Sequence, residues 1–291
     1  MIMTHTTPRR TFIRQSLGIG LGVLFLPSAL KAKPLFPFSF GACDWSIGQM
    51  ASLNAFETAK GIGLDGIQVS LGTAKDNMHL RQSDMQEKYL KASRSTGVKI
   101  ASLAIGELNE IPYKSEGHTQ EWVHDSIDVA KVLGCKVVLL AFFGKGDLRN
   151  DPEGKKEVIR KLKEVAPKAE RQDVYLAVES WLSAEEHLDI IEKVGSSHVR
   201  VYYDVANATS MGYDIFKEMR LLGTDYICEV HAKENGQLLG KGEVDFVKVR
   251  NVLDEIGYRN WIILEGAIPD GMEMIEAYRK NLKFLHQTFN P

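Results

Sequence analysis

A (β/α)8 barrel is the fold class this sequence predicts, and three observations carry it. From about residue 38 onward, eight short β-rich runs alternate with longer amphipathic segments. Most of the short runs are near-continuous Val, Ile, Leu and Ala, as in strands covered on both faces. The eight units occupy about 255 residues, the length such a barrel needs.

The strand candidates, in order, are 38–46, 66–71, 99–105, 136–143, 174–179, 199–205, 226–232 and 261–265. Helical spacing of apolar residues marks 83–96, 120–133, 155–171 and 184–194 between them, and 272–288 forms a final helix. Ser83 and Ser183 stand where a side-chain oxygen can accept from the free N–H groups of a first helical turn. Gly97, Gly134, Gly195 and Gly257 follow helices, where a residue without Cβ turns left-handed at least cost. The competing architecture is an open doubly wound sheet. Against it, no Gly-x-Gly-x-x-Gly follows an early strand and no phosphate-binding Walker loop occurs. Gly61-Ile62-Gly63 precedes a strand and so reads as a helix stop. No linker or low-complexity tract follows residue 38, which predicts one barrel domain over 33–291.

Residues 1–32 belong to a different category. Arg9-Arg10-Thr11-Phe12-Ile13-Arg14 precedes an apolar run from Leu17 to Leu26, and Pro27-Ser28-Ala29-Leu30-Lys31-Ala32 offers small residues for cleavage after Ala32. The arrangement resembles a bacterial Tat signal, which exports folded proteins, so the mature chain is expected in the periplasm. An N-terminal membrane anchor is the alternative. The apolar run is too short for it, since a span takes about 20 residues. Loss of 1–32 removes four basic residues and no acid, taking the net charge from −2 to −6. An acidic body without a basic stripe argues against nucleic acid as a partner. Cys43, Cys135 and Cys228 are far apart within apolar runs and read as buried small hydrophobes.

In such a barrel the C-terminal ends of the strands form the mouth of the active site. Strand five ends Ala177-Val178-Glu179, strand six Tyr203-Asp204, strand seven Glu229-Val230-His231, and strand eight Ile263-Leu264-Glu265. Alone, each has a plain structural reading, a hydrogen-bonded histidine or a carboxylate paired with lysine. On four consecutive strands they pose a charge problem, because a buried carboxylate needs a cation. Three acids and one imidazole cannot neutralise one another, whereas a divalent cation can. The oxygen-rich donor set suits Mn²⁺, Mg²⁺ or Co²⁺, with Zn²⁺ an alternative.

These residues carry a resemblance. Val178-Glu179, Tyr203-Asp204, Val230-His231-Ala232-Lys233 and Leu264-Glu265 resemble the xylose isomerase-like TIM-barrel superfamily of sugar phosphate isomerases and epimerases. The stretch Leu239-Gly240-Lys241-Gly242-Glu243-Val244-Asp245-Phe246 is similar to the turn those proteins carry after the metal histidine. The resemblance implies that Glu179, Asp204, His231 and Glu265 hold a metal that chelates the carbonyl and adjacent hydroxyl of a keto sugar and stabilises an enediolate. It also implies that Glu179 and Glu265 move the proton, one on each face, and that Glu185 binds substrate. Two positions depart from the ketose epimerases: Asn207 replaces a histidine and Gln237 an arginine. Both handle substrate in that family, so a free ketohexose fits less well, and export disfavours phosphosugars. Asn207 can bond a sugar hydroxyl or end its strand. Lys233 can polarise a carbonyl or lie on the surface. Trp45 and Trp181 can stack on a sugar face or pack the barrel.

The leading expectation is therefore a metal-dependent isomerase or epimerase of a small carbohydrate. The same enediolate serves a lyase, dehydratase or hydratase resembling inosose dehydratases, which is the main alternative. A non-catalytic sugar-binding protein comes next. An abasic-site endonuclease with this barrel would need more histidine ligands than His231 alone. Self-association into a homo-oligomer stays open.

Overall fold

The computed structural model describes residues 38–290. The twin-arginine segment, its apolar run and the expected cleavage point lie outside the described residues. Eight parallel strands close into a barrel in sequence order: β1 Ser39–Cys43, β2 Gly66–Ser70, β3 Lys99–Ile105, β4 Val137–Phe142, β5 Tyr175–Ser180, β6 Val199–Asp204, β7 Ile227–Ala232 and β8 Trp261–Leu264. Closure is the β1–β8 pairing, from Ser39 opposite Trp261 to Ala42 opposite Leu264. The chain ends reinforce it. The Asn290 side chain accepts from Phe38 N and donates to Phe38 O, both at 2.9 Å.

Helices α1 Asn54–Ile62, α2 Ser83–Thr96, α3 Thr119–Leu133, α4 Pro152–Gln172, α5 Ala184–Val194, α6 Val205–Ser210, α7 Ile215–Tyr226, α8 Phe246–Glu255 and α9 Met274–Phe289 alternate with the strands. Among the described residues, no helix is long and apolar enough to cross a membrane. Gly97, Gly134 and Gly195 close α2, α3 and α5 with φ between 76° and 79°, where a Cβ would be strained. Ser183 caps α5 and forms a capping box with Glu186. Ser83 does not cap α2. It is the first helical residue, Gln82 occupies the cap position, and no side chain closes that end. The structure adds α1, α7 and α8 to the five helices marked in the sequence, and shorter pieces besides: α6, and turns of 3₁₀ helix after β2, β3 and β4. Such pieces are too short to repeat an apolar spacing.

Two apolar shells hold the barrel. Val69, Leu140, Val178 and Val230 face outward onto the helices, in one core with Phe56, Val123, Leu162 and Leu253. Cys43, Ala101, Leu139, Ala177, Tyr202 and Ile263 fill the interior. A strand alternates faces with a period of two, so the residue two places after an inward one also points inward. Ala177 therefore implies Glu179, Tyr202 implies Asp204, and Ile263 implies Glu265.

Candidate metal centre at the barrel mouth

Each functional side chain is delivered by an apolar strand whose last inward position is polar. Glu179 precedes the final residue of β5, Asp204 ends β6 and His231 precedes the final residue of β7. Glu265 lies one residue beyond β8, kept in the sheet by its N–H donating to Ala232 O at 3.2 Å. One ligand atom from each of the four lies within 4.8 Å of all the others. His231 Nδ1 faces them, 2.8 Å from Glu179 Oε1, 3.7 Å from Glu265 Oε2 and 3.8 Å from Asp204 Oδ2. His231 has no exposed surface, and Glu179 and Asp204 are 4% and 5% exposed.

Asp204 shows best what the cluster is shaped to hold. Its Oδ1 accepts from Ala206 N and Asn207 N, both at 2.8 Å, which fixes the carboxylate as the cap of α6. Its Oδ2 is buried and has no hydrogen-bond partner among the described residues. An unpaired buried carboxylate oxygen is expensive, and this one faces an imidazole nitrogen and two more carboxylates. A divalent cation satisfies all four donors together, and three oxygens with one nitrogen are a donor set that hard and borderline ions accept.

The protonation pattern reflects the crowding. Burial pushes Asp204 up to about 7, with Lys233 opposing and Glu265 and Glu179 adding to the rise. Glu265 is half-buried, and His231 and Lys233 hold it down at about 2 against the cost of desolvation. Burial disfavours the charged form of His231, but Glu179 and Glu265 outweigh it and lift the ring to about 9. Carboxyls pushed in opposite directions within one cluster are a mark of functional sites.

The other expected site residues divide. Lys233 is not a surface lysine: its Nζ lies 2.9 Å from Glu265 Oε2 and 3.9 Å from Asp204 Oδ2. Trp45 donates its indole N–H to Glu265 Oε1 at 2.9 Å, so it grips the carboxylate. Asn207 adjoins the cluster through its backbone N–H, and its half-buried side chain lies at the rim. Trp181 stands farther out, edge-on to Phe143 at 5.0 Å with the Arg149 guanidinium 4.5 Å above its ring. Glu185 is exposed in the first turn of α5. Gln237 lines a separate cavity of about 270 Å³ with Ala206, Thr209, Glu234 and Asn235. The glycine-rich turn past β7 is held by buried Glu234, which accepts from Glu243 N and Val244 N at 3.2 and 3.3 Å; a Cβ on Gly242 would collide with it.

Three interior residues escaped the sequence reading. Gln68 Oε1 lies 3.1 Å from His231 Nε2, and its amide nitrogen donates to Ser102 Oγ at 3.0 Å. Cys43 Sγ lies 3.4 Å from the same ring nitrogen, so this thiol borders the site as well as filling space. The available signal was a lone glutamine inside the run Gly66-Ile67-Gln68-Val69-Ser70. One layer down, the Glu229 carboxyl and the Tyr202 hydroxyl make no hydrogen bond of good geometry among the described residues. Burial lifts Glu229 to about 8, so at neutral pH it is mostly uncharged and its isolation costs less. A cavity of about 540 Å³ opens at the opposite end of the barrel, lined by Lys99, Tyr175 and Trp261. Those residues sit at strand starts, the end that serves stability in these barrels.

Comparison with known proteins agrees with the geometry. SgbU of Escherichia coli K12, to which L-ribulose-5-phosphate 3-epimerase activity is provisionally ascribed, is 27% identical over 251 residues, covering 76% of this chain and 87% of its own. The fold matches a D-psicose 3-epimerase crystallised with D-fructose at a TM-score of 0.73 and 15% identity, over 87% of this chain and all of that one. It matches the 3-keto-D-glucoside 4-epimerase YcjR of E. coli at 0.71 and 17% identity, over 86% and 99%. Residues 56–288 match the family described as xylose isomerase-like TIM barrel, and the chain belongs to that family.

Proposed function

We propose that this protein is a divalent-metal-dependent epimerase or isomerase acting beside the carbonyl of a small keto sugar. The observation that carries the reading is the four-donor cluster with Asp204 Oδ2 left unsatisfied at the barrel mouth. The cation would be held by Glu179, Asp204, His231 and Glu265. When bound, it supplies Lewis acidity that lowers the pKa of the carbon next to a chelated carbonyl and stabilises the enediolate.

The chain's own groups then handle the proton. Glu179 and Glu265 come from strands on different sides of the cluster, and we assign them the two faces of the reacting carbon, one taking its proton and the other returning one. Trp45 and Lys233 fix both oxygens of Glu265, one each, so that carboxylate holds a single orientation. Lys233 also stands by for negative charge that develops on the substrate oxygen. Glu185, Asn207 and Trp181 are proposed to meet the outer part of the sugar. The relatives' names support a carbohydrate substrate. The twin-arginine segment supports export to the periplasm, where unphosphorylated sugars are the expected class.

The test is turnover in D₂O of Mn²⁺-loaded mature protein with D-psicose, L-ribulose, L-ribulose 5-phosphate and a 3-keto-D-glucoside. Epimerisation with one deuterium at the inverted carbon, abolished by EDTA, is expected for at least one of them. Loss of water or of an aglycone would instead identify an elimination enzyme, and binding without exchange a sugar-binding protein.

A further inference from the structure

We propose that Gln68 is a positioning residue for His231: its side-chain oxygen holds the Nε2 proton and so presents Nδ1 to the cluster as a lone pair. The inference rests on the metal reading above, because the presented lone pair is the metal-binding atom.

The contacts around Gln68 assign a direction to its bond with His231. Gln68 and Ser102 have no exposed surface, so neither turns to water for a partner. The Gln68 amide turns its donor end to Ser102, and its acceptor end receives the Cys43 thiol at 3.3 Å. Its Nε2 lies 3.0 Å from Ser102 Oγ, which leaves Oε1 facing His231 Nε2 at 3.1 Å. An amide oxygen only accepts, so His231 Nε2 must donate. In the neutral ring, the form that ligates a metal, Nδ1 then carries no proton, and Nδ1 is the atom that lies 2.8 Å from Glu179 Oε1 and within 3.8 Å of Asp204 and Glu265. Cys43 Sγ, 3.3 Å from Gln68 Oε1 and 3.4 Å from His231 Nε2, packs the contact from one side.

Metal-bound histidines are commonly oriented this way, by a carboxylate or carbonyl on the far ring nitrogen. Here the acceptor is an uncharged amide from β2, across the barrel axis from β7. An uncharged acceptor orients the ring without adding a fourth negative charge to a site that already holds three carboxylates. A carboxylate at position 68 would preserve orientation and alter charge, which makes the two effects separable.

Mn²⁺ affinity of the full mature chain, followed by the EPR signal of the free ion, tests the role in wild type, Gln68→Met and Gln68→Glu. Gln68→Met is expected to weaken binding about 10–100-fold, and Gln68→Glu, which keeps an acceptor, to recover most of it. Imidazole ¹⁵N NMR of the Zn²⁺-loaded protein should show His231 protonated on Nε2 in wild type. A Ser102→Ala variant, which removes the partner of the amide nitrogen, should bind more weakly while keeping its far-ultraviolet circular dichroism, and it serves if Gln68→Met fails to fold. Mn²⁺ affinity unchanged in Gln68→Met, or an Nδ1-protonated ring in wild type, overturns the positioning role alone. Failure of wild type to bind Mn²⁺ overturns the metal reading together with it.

Discussion

At the scale of single residues, the site depends on side chains that hold other side chains. Trp45 illustrates it. An indole near a strand end suggests a platform for a sugar ring, but here the N–H is committed to Glu265 Oε1 at 2.9 Å. Removing one hydrogen bond to a charged group costs about 1.5–3 kcal/mol. Trp45→Phe should therefore lower kcat roughly tenfold or more at unchanged metal content, with KM little altered. Glu265→Gln removes the proton-transfer group itself and should cost about 10²–10⁴-fold. Steady-state kinetics on the substrate found in the D₂O screen decides. A Trp45→Phe variant that loses only KM would return the indole to sugar stacking and remove it from the support of Glu265.

At the scale of elements, the loops past β5 and β6 carry a layer of buried polar bonds that sets where Glu179 and Asp204 stand. His187 on α5 is the clearest case. Its Nδ1 lies 2.9 Å from Ser183 O and its Nε2 2.9 Å from Ser180 Oγ. Nδ1–H donates to the carbonyl and Nε2 accepts from the hydroxyl, an arrangement open only to the neutral ring. Burial holds this histidine down at about 4 from an ordinary 6.5. As pH falls from 6.5 to 4, the unfolded chain therefore takes up the proton first, and stability is lost across that window. The loss is on the order of 2–3 kcal/mol. Urea titrations at pH 7.5 and 4.5 should show a smaller midpoint shift in His187→Gln than in wild type. An equal shift in both would place the acid sensitivity elsewhere.

At the scale of the whole molecule, the barrel was legible because its signal repeats eight times. Buried parallel strands made of Val, Ile, Leu and Ala cannot be hidden by one irregular turn. The four ligands were legible because each breaks an apolar run at the strand's end. Gln68 was not, since one amide in an apolar strand has the same appearance whether it serves packing or orientation. The hold of Trp45 on Glu265 and the paired state of Lys233 also depend on neighbours distant in sequence. Export is likewise a whole-molecule property, proposed from residues 1–32 alone. Replacing Arg9 and Arg10 together by Lys should leave the uncleaved protein in the cytoplasm, read by cell fractionation and N-terminal sequencing. Undisturbed periplasmic accumulation would remove the twin-arginine route.

The metal claim underlies every chemical step proposed for this chain, and one measurement reaches it directly. Mature wild type and His231→Ala, purified without chelator, are compared for bound metal by inductively coupled plasma mass spectrometry. About one divalent ion per chain is expected in wild type, as a single four-donor site implies, and its loss in His231→Ala. Equal, negligible metal in both would contradict it.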